Sequence, residues 1–237
     1  MMVITTETTV RDIALEEPTA IPVLEQFGID YCCGGKHTLA EACVKRNQDI
    51  GPVLEELERR RQETSAAEIE WQTAPLSDLI DHIVHKHHAF TREHLVLLRE
   101  LTAKVERRHG SAHPEVYRVR EALANMSAGL IHHFGCEENV LFPYIKQLDA
   151  CQRSILPDVF AGIKQPVKRL MMDHDQAGDE LRFLRESTNN YLPPNDACTT
   201  YRALYRALED LERDLHRHIH LENNILFPRA LKLESER

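Results

Sequence analysis

Two stretches decide how this chain folds. His133-Phe134-Gly135-Cys136-Glu137-Glu138-Asn139-Val140-Leu141-Phe142-Pro143 is echoed by His218-Ile219-His220-Leu221-Glu222-Asn223-Asn224-Ile225-Leu226-Phe227-Pro228. They match at His, Glu, Asn, Leu, Phe and Pro, all at an offset of 85 residues. A lone His-x-x-x-Glu is weak evidence, because about 1.5 such pairs are expected by chance in a chain with 14 His and 25 Glu among 237 residues. A shared eleven-residue frame is not readily supplied by chance, so the chain carries an internal repeat. On a helix, residues four apart lie on one face. Each stretch therefore aims an imidazole and a carboxylate at one point. The third pair, His37 and Glu41, has no repeated surroundings and is read as an accident.

Working outward, His174 aligns with His88 at an offset of 86, bringing Leu181 onto Leu95, Leu184 onto Leu98, Arg185 onto Arg99 and Glu186 onto Glu100. Periodicity alone would favour His87, one turn from Ile83, but that choice destroys the matches. The repeat is thus a tandem duplication of helix–helix units, each contributing one His and then one His-x-x-x-Glu. The candidate metal ligands are His88, His133, Glu137, His174, His218 and Glu222. Four imidazoles and two carboxylates suit two metal ions inside a bundle, with the Glu residues bridging. Mixed nitrogen and oxygen donors favour Fe or Mn over Cu(I) or structural zinc, which prefer thiolate. Two bridging carboxylates carry only two negative charges, so an oxo or hydroxo bridge is an expected extra ligand. Pro143 and Pro228 remove the hydrogen bonds to the carbonyls of Asn139 and Asn224, which marks either a shared local bend or a helix end.

Around these stretches the pattern is all-α. Four amphipathic helices are expected at about 76–107, 114–148, 157–186 and 197–233; the first has Leu76, Ile80, Ile83, Val84, Leu95, Leu98 and Leu101 as its apolar stripe. At 1.5 Å per residue, helices of about 30 residues reach about 45 Å, and modest loops make an up-down-up-down bundle the economical topology. Asn189–Asp196, with Pro193-Pro194, is the clearest loop. Residues 1–60 read as a small helical domain with helices at Pro22–Phe27 and Leu39–Lys45, and Thr38 as an N-cap. Residues 61–75 read as a linker, and 76–237 as the bundle.

Composition narrows the function. Lys and Arg total 29 against 38 Asp and Glu, a net charge of −9 that argues against nucleic acid or an anionic membrane as partner. No apolar run approaches the roughly 20 residues of a membrane span, and the first residues lack signal-peptide character. Six scattered cysteines are not a secreted disulfide framework; a reducing cytoplasm is the expected location. Vicinal Cys32-Cys33 can bind a metal, exchange disulfides, form a vicinal bridge or sit inert in a buried turn, and a nearby Lys36 would favour a thiolate. Cys43, Cys136, Cys151 and Cys198 read as packing. His132, His216 and His220 flank ligands at the wrong helical angle and are expected to be solvated or to stand behind the ligands; His82, His85, His87 and His94 could line an entry path or stand behind the ligands but read mainly as surface residues.

Two signatures together resemble the di-iron iron–sulfur cluster repair family (RIC, the ScdA/YtfE type) of the hemerythrin-like superfamily. One is Asp30-Tyr31-Cys32-Cys33-Gly34-Gly35-Lys36. The other is the bundle with its two Leu-Phe-Pro endings, Asp173-His174-Asp175, Thr188-Asn189-Asn190 and Ala197-Cys198-Thr199-Thr200. The resemblance covers nearly the whole chain, and the family's ligand positions fall on the six residues above. It implies a cytoplasmic stress protein that holds two irons rather than manganese and helps restore damaged iron–sulfur proteins, its partners. It also implies nitric oxide or oxygen as small ligands, nitric oxide reduction as an alternative activity, and a redox or docking role for Cys32 and Cys33. A homodimer is compatible with it. Oxygen-carrying hemerythrins use five His where this repeat supplies four, which disfavours a tuned oxygen carrier.

Overall fold

The computed structural model describes residues 3–63, 71–150 and 162–236. Cys151, the expected start of the third helix at Pro157 and the middle of the expected linker lie outside them. All regular structure among the described residues is helical, apart from one isolated antiparallel bridge between Thr9 and Thr38. Close contacts divide the chain into two units: residues 1–74 with Ile219–Pro228, and Pro75–His218 with Arg229–Arg237.

The first unit holds four short helices: α1 (Val10–Glu16), α2 (Ile21–Gln26), α3 (Leu39–Lys45) and α4 (Ile50–Glu63). α2 and α3 lie where the sequence pattern puts them, while α1 and α4 escape it. α4 buries Val53 and Leu57, then runs three residues past the expected start of the linker, to Glu63. Pairs three residues apart, Glu56 with Arg59 and Glu58 with Arg61, support helix there. Val10, Ile13, Leu24, Ile29, Tyr31 and Leu39 complete this core. Thr38 is the expected N-cap: its hydroxyl accepts from the Glu41 amide at 3.2 Å, and the Glu41 carboxylate accepts from the Thr38 amide at 3.0 Å. Glu41 is thus half of a capping box, which explains the stray His37-x-x-x-Glu41 pair without metal.

Among the described residues four long helices follow, the last of which includes the residues 219–228 counted with the first unit. α5 runs as Leu76–His82, a π-helical turn Ile83–His88 and Ala89–His109. α6 runs as Glu115–Cys136, a π turn Glu137–Leu141 and Phe142–Asp149. α7 is Lys164–Ser187; α8 runs as Thr199–His220, a π turn Leu221–Leu226 and Phe227–Ser235. Two sets of neighbours establish the alternating direction. Donor atoms of His88 and His218 meet at one level, as do those of His133 and His174, while those of His109, His113 and Asp196 meet at another. Helices α5 and α7 therefore run away from the first level, and α6 and α8 return to it. Between the levels lies a shared core that includes Leu95, Leu98, Leu123, Met126, Leu181, Leu184, Leu208 and Leu211. The buried Glu212 carboxylate receives Arg185 through Nε at 3.1 Å and Nη2 at 2.8 Å, tying α7 to α8.

Candidate metal centre

The six predicted residues come together, and all are buried. They form two overlapping groups whose donor atoms lie within 4.8 Å of one another: His88, Glu137, His218 and Glu222, and His133, Glu137, His174 and Glu222. Both carboxylates belong to both groups, and each group owns one pair of imidazoles. His88 Nε2 faces His218 Nε2 at 3.2 Å, and His133 Nε2 faces His174 Nε2 at 2.9 Å. Glu137 lies between the pairs, Oε2 at 3.4 Å from His88 and Oε1 at 3.2 Å from His133. The pairing crosses the duplication, joining a histidine of the first repeat to one of the second. His87 stays outside the groups, so the offset of 86 selects the histidine that meets the others.

Local structure explains how helices present these donors. Three of the four long helices relax into a π turn beside a donor: at its end for His88, at its start for Glu137 and within it for Glu222. The amide of Phe142 donates to the Glu137 carbonyl, and that of Phe227 to the Glu222 carbonyl, each five residues back. A proline one position later has no amide to donate and would press on the carbonyl four residues back. The wider turn resolves that conflict and re-aims the side chains on either side. Pro143 and Pro228 therefore end no helix; α6 continues to Asp149 and α8 to Ser235.

Outer partners orient the rings. The Nδ1 of His88 lies 2.7 Å from Glu138 Oε1, which also receives Arg92 at 2.9 Å. The Nδ1 of His133 lies 3.3 Å from Asp173 Oδ2. A carboxylate on Nδ1 holds the proton there and leaves the Nε2 lone pair facing inward, the usual support of a metal-bound imidazole. Neither residue was found by the repeat, since Glu138 faces Asn223 in the other copy. Removing such a partner costs 10- to 100-fold in metal affinity. Glu138→Gln is therefore expected to weaken metal binding by about 10-fold or more, read by competition with a chelator; unchanged affinity would refute the support.

Other histidines depart from the surface reading. His87 is buried, its Nδ1 2.9 Å from Asp214 Oδ1 and its ring stacked 5.9 Å from that of His218. Burial lowers its pKa despite that carboxylate. His220 is also buried. Its Nδ1 lies 2.8 Å from Asn224 Nδ2, which donates to the Tyr31 carbonyl at 3.3 Å, while its ring meets Tyr31 edge-on at 5.4 Å. Asn139, the counterpart of Asn224, merely turns back to the Gly135 carbonyl at 2.8 Å.

Burial, aided by the charge of Arg11, lowers His220 to about 4. A histidine kept neutral by folding stabilises fully above its unfolded pKa of about 6.5, and that contribution is lost as pH falls toward 4. Between pH 7 and 4.5 the loss amounts to about 2 kcal/mol. Urea unfolding of metal-free protein at both pH values is expected to show a smaller acid loss in His220→Gln than in the wild type. Equal losses would contradict this.

The cysteine turn is tightly laced. Asp30 Oδ1 accepts from the Cys32 amide at 3.0 Å and from its thiol at 3.2 Å. Gly35 permits the close pass, since a Cβ there would stand 2.8 Å from the Tyr31 carbonyl oxygen and 3.0 Å from Arg11 Cβ. Both cysteines are free thiols, their sulfurs 3.9 Å apart. Burial, then Cys33 and Asp30, pushes the Cys32 thiol well up, so the thiolate expected from Lys36 is not the resting form of Cys32. Cys43 packs in the first core. Cys136 lies 3.7 Å from His132, one turn back on the same helix. Cys198 is half-exposed at the start of α8, its pKa lowered chiefly by the Tyr201 and Thr200 amides.

The donor set tests well for a metal. Four imidazoles and two carboxylates, without thiolate, converge in a buried space walled by Phe134 and Phe142. Borderline-to-hard cations such as iron match such donors. A helical bundle with these buried His/Glu groups belongs to the hemerythrin HHE cation binding domain family, whose profile matches residues 78–230. The leading residues 6–61 match ScdA_N, a domain of unknown function (DUF542). The chain is 37% identical over 220 residues to "Iron-sulfur cluster repair protein YtfE" of Escherichia coli O157:H7, covering 93% of this chain and 94% of the relative. Proteins of the same name from Escherichia coli O81 (strain ED1a) and Escherichia fergusonii match equally. No helix among the described residues is long and apolar enough to cross a membrane.

Proposed function

We propose that this chain holds two iron ions and supplies iron to cytoplasmic iron–sulfur clusters damaged by nitrosative or oxidative stress. His88 and His218 would hold one ion, His133 and His174 the other, with Glu137 and Glu222 bridging. The observation that carries this reading is the pair of buried groups sharing both carboxylates. The names of the relatives supply the repair role. Iron bound by nitrogen and oxygen donors, with no thiolate, suits transfer to sulfur-rich acceptors, because softer thiolate and sulfide ligands compete well for it. Cys32 and Cys33 lie next to Tyr31, whose carbonyl binds Asn224; docking of a client or redox exchange is assigned to them. The test is incubation of iron-loaded protein with a hydro-lyase inactivated by nitrosylation of its cluster. Activity is expected to return with the wild type and not with Glu222→Ala. Equal recovery with both would overturn the proposal.

A second reading follows from the donor count. Two imidazoles and two shared carboxylates would give each ion four protein ligands, and would leave positions on iron open for nitric oxide. Anaerobic exposure of the reduced protein to nitric oxide decides it: nitrous oxide supports a reductase, and its absence removes that activity.

A further inference from the structure

We infer that the opposite end of the helix bundle carries a second metal site, for one divalent transition ion of the zinc class, built from His109, His113, Asp196 and the adjacent Cys198. His109 closes α5, His113 follows it across the turn into α6, and Asp196 and Cys198 lie in the loop entering α8. Donor atoms of His109, His113 and Asp196 gather within 4.8 Å of one another. His113 Nε2 faces both oxygens of Asp196 at 3.0 Å, and His109 Nε2 lies 3.2 Å from Cys198 Sγ. Ligand atoms on tetrahedral zinc stand about 3.3–3.6 Å apart, given bonds of about 2.0–2.3 Å. The observed separations are a few tenths of an ångström shorter than that, and Cys198, outside the three-residue group, joins it through His109.

The outer support repeats the logic of the first centre. His113 Nδ1 lies 3.1 Å from Glu115 Oε1, and Glu115 is held in turn by the Tyr201 hydroxyl at 3.1 Å. With an ion bound, that contact would hold the ring proton on Nδ1 and leave the Nε2 lone pair for the metal. The donors are mixed, two imidazoles, one carboxylate and one thiol, which separates this site chemically from the thiolate-free centre. It is separate in space as well: 21 residues of helix from His88 to His109 span about 30 Å. His109, His113 and Cys198 are half-buried and Asp196 is exposed, so an ion can reach the site from solvent. The competing explanation is a proton on His113 Nε2 bonded to Asp196, with no metal.

Titration of the iron-loaded full chain with Co²⁺ distinguishes the two. One further ion per chain is expected, with a near-ultraviolet thiolate-to-cobalt band displaced by Zn²⁺. Asp196→Asn, a change at an exposed side chain, is expected to weaken this binding at least tenfold, and His113→Gln likewise. No further equivalent, or one bound equally well by Asp196→Asn, would overturn the site. A cobalt spectrum unchanged in Cys198→Ser would remove Cys198 from it.

Discussion

Glu222→Ala is expected to strip iron from both positions at once, whereas His88→Ala strips it from one. Glu222 and Glu137 each belong to both donor groups, while every histidine belongs to a single group. On the proposed two-ion reading, removing a shared carboxylate would take a ligand from each ion and half of the compensating negative charge. Removing one imidazole leaves the other group with all four of its donors. Iron per chain after anaerobic purification is therefore expected to fall from about two to about one in His88→Ala or His174→Ala. It should fall well below one in Glu137→Ala or Glu222→Ala, as expected for donors shared by two ions. The His88→Ala, His174→Ala double variant should resemble the Glu variants, since it damages both groups. Equal losses in all single variants would refute the shared-carboxylate geometry.

The second large effect is on stability, and its sign depends on metal. Glu137 and Glu222 are fully buried, and holding carboxylates in such a place costs several kcal/mol per charge when no cation compensates. Iron should therefore stabilise the fold: binding at 1,000 times the dissociation constant contributes about 4 kcal/mol. For a chain of this size that raises the melting temperature by about 10 °C. Glu137→Gln removes a buried charge while keeping the shape. Metal-free Glu137→Gln is expected to melt at or above metal-free wild type, yet to gain almost nothing from iron. Paired melting curves with and without ferrous iron read both effects; a variant destabilised without metal and still stabilised by iron would contradict them.

That these six residues would meet was legible because duplication pairs them three by three, and a matching frame filters chance pairs such as His37 and Glu41. What the repeat could not show is the pairing. His88 meets His218, and His133 meets His174, because antiparallel helices bring the two copies face to face, a tertiary relation with no trace in linear offsets. The supports Glu138 and Asp173 were hidden for the opposite reason: the copies differ there. The π turns were legible only in part. Pro143 and Pro228 mark two of them, but the turn at Ile83–His88 contains no proline. α4 was lost because its charged end mimics a linker in composition while its ion pairs favour helix. Buried His87 departs from the surface expectation because helical angle within one helix says nothing of what packs on its far side.

The most direct measurement of the account follows the metal itself. The protein is loaded with ⁵⁷Fe, incubated anaerobically with an unlabelled hydro-lyase whose cluster has lost iron, and separated from it. Mössbauer spectra of the recovered enzyme are then compared with its activity. Iron donation predicts ⁵⁷Fe in the rebuilt cluster in proportion to the activity regained, and neither label nor activity with Glu222→Ala. Activity regained without ⁵⁷Fe in the cluster would contradict it.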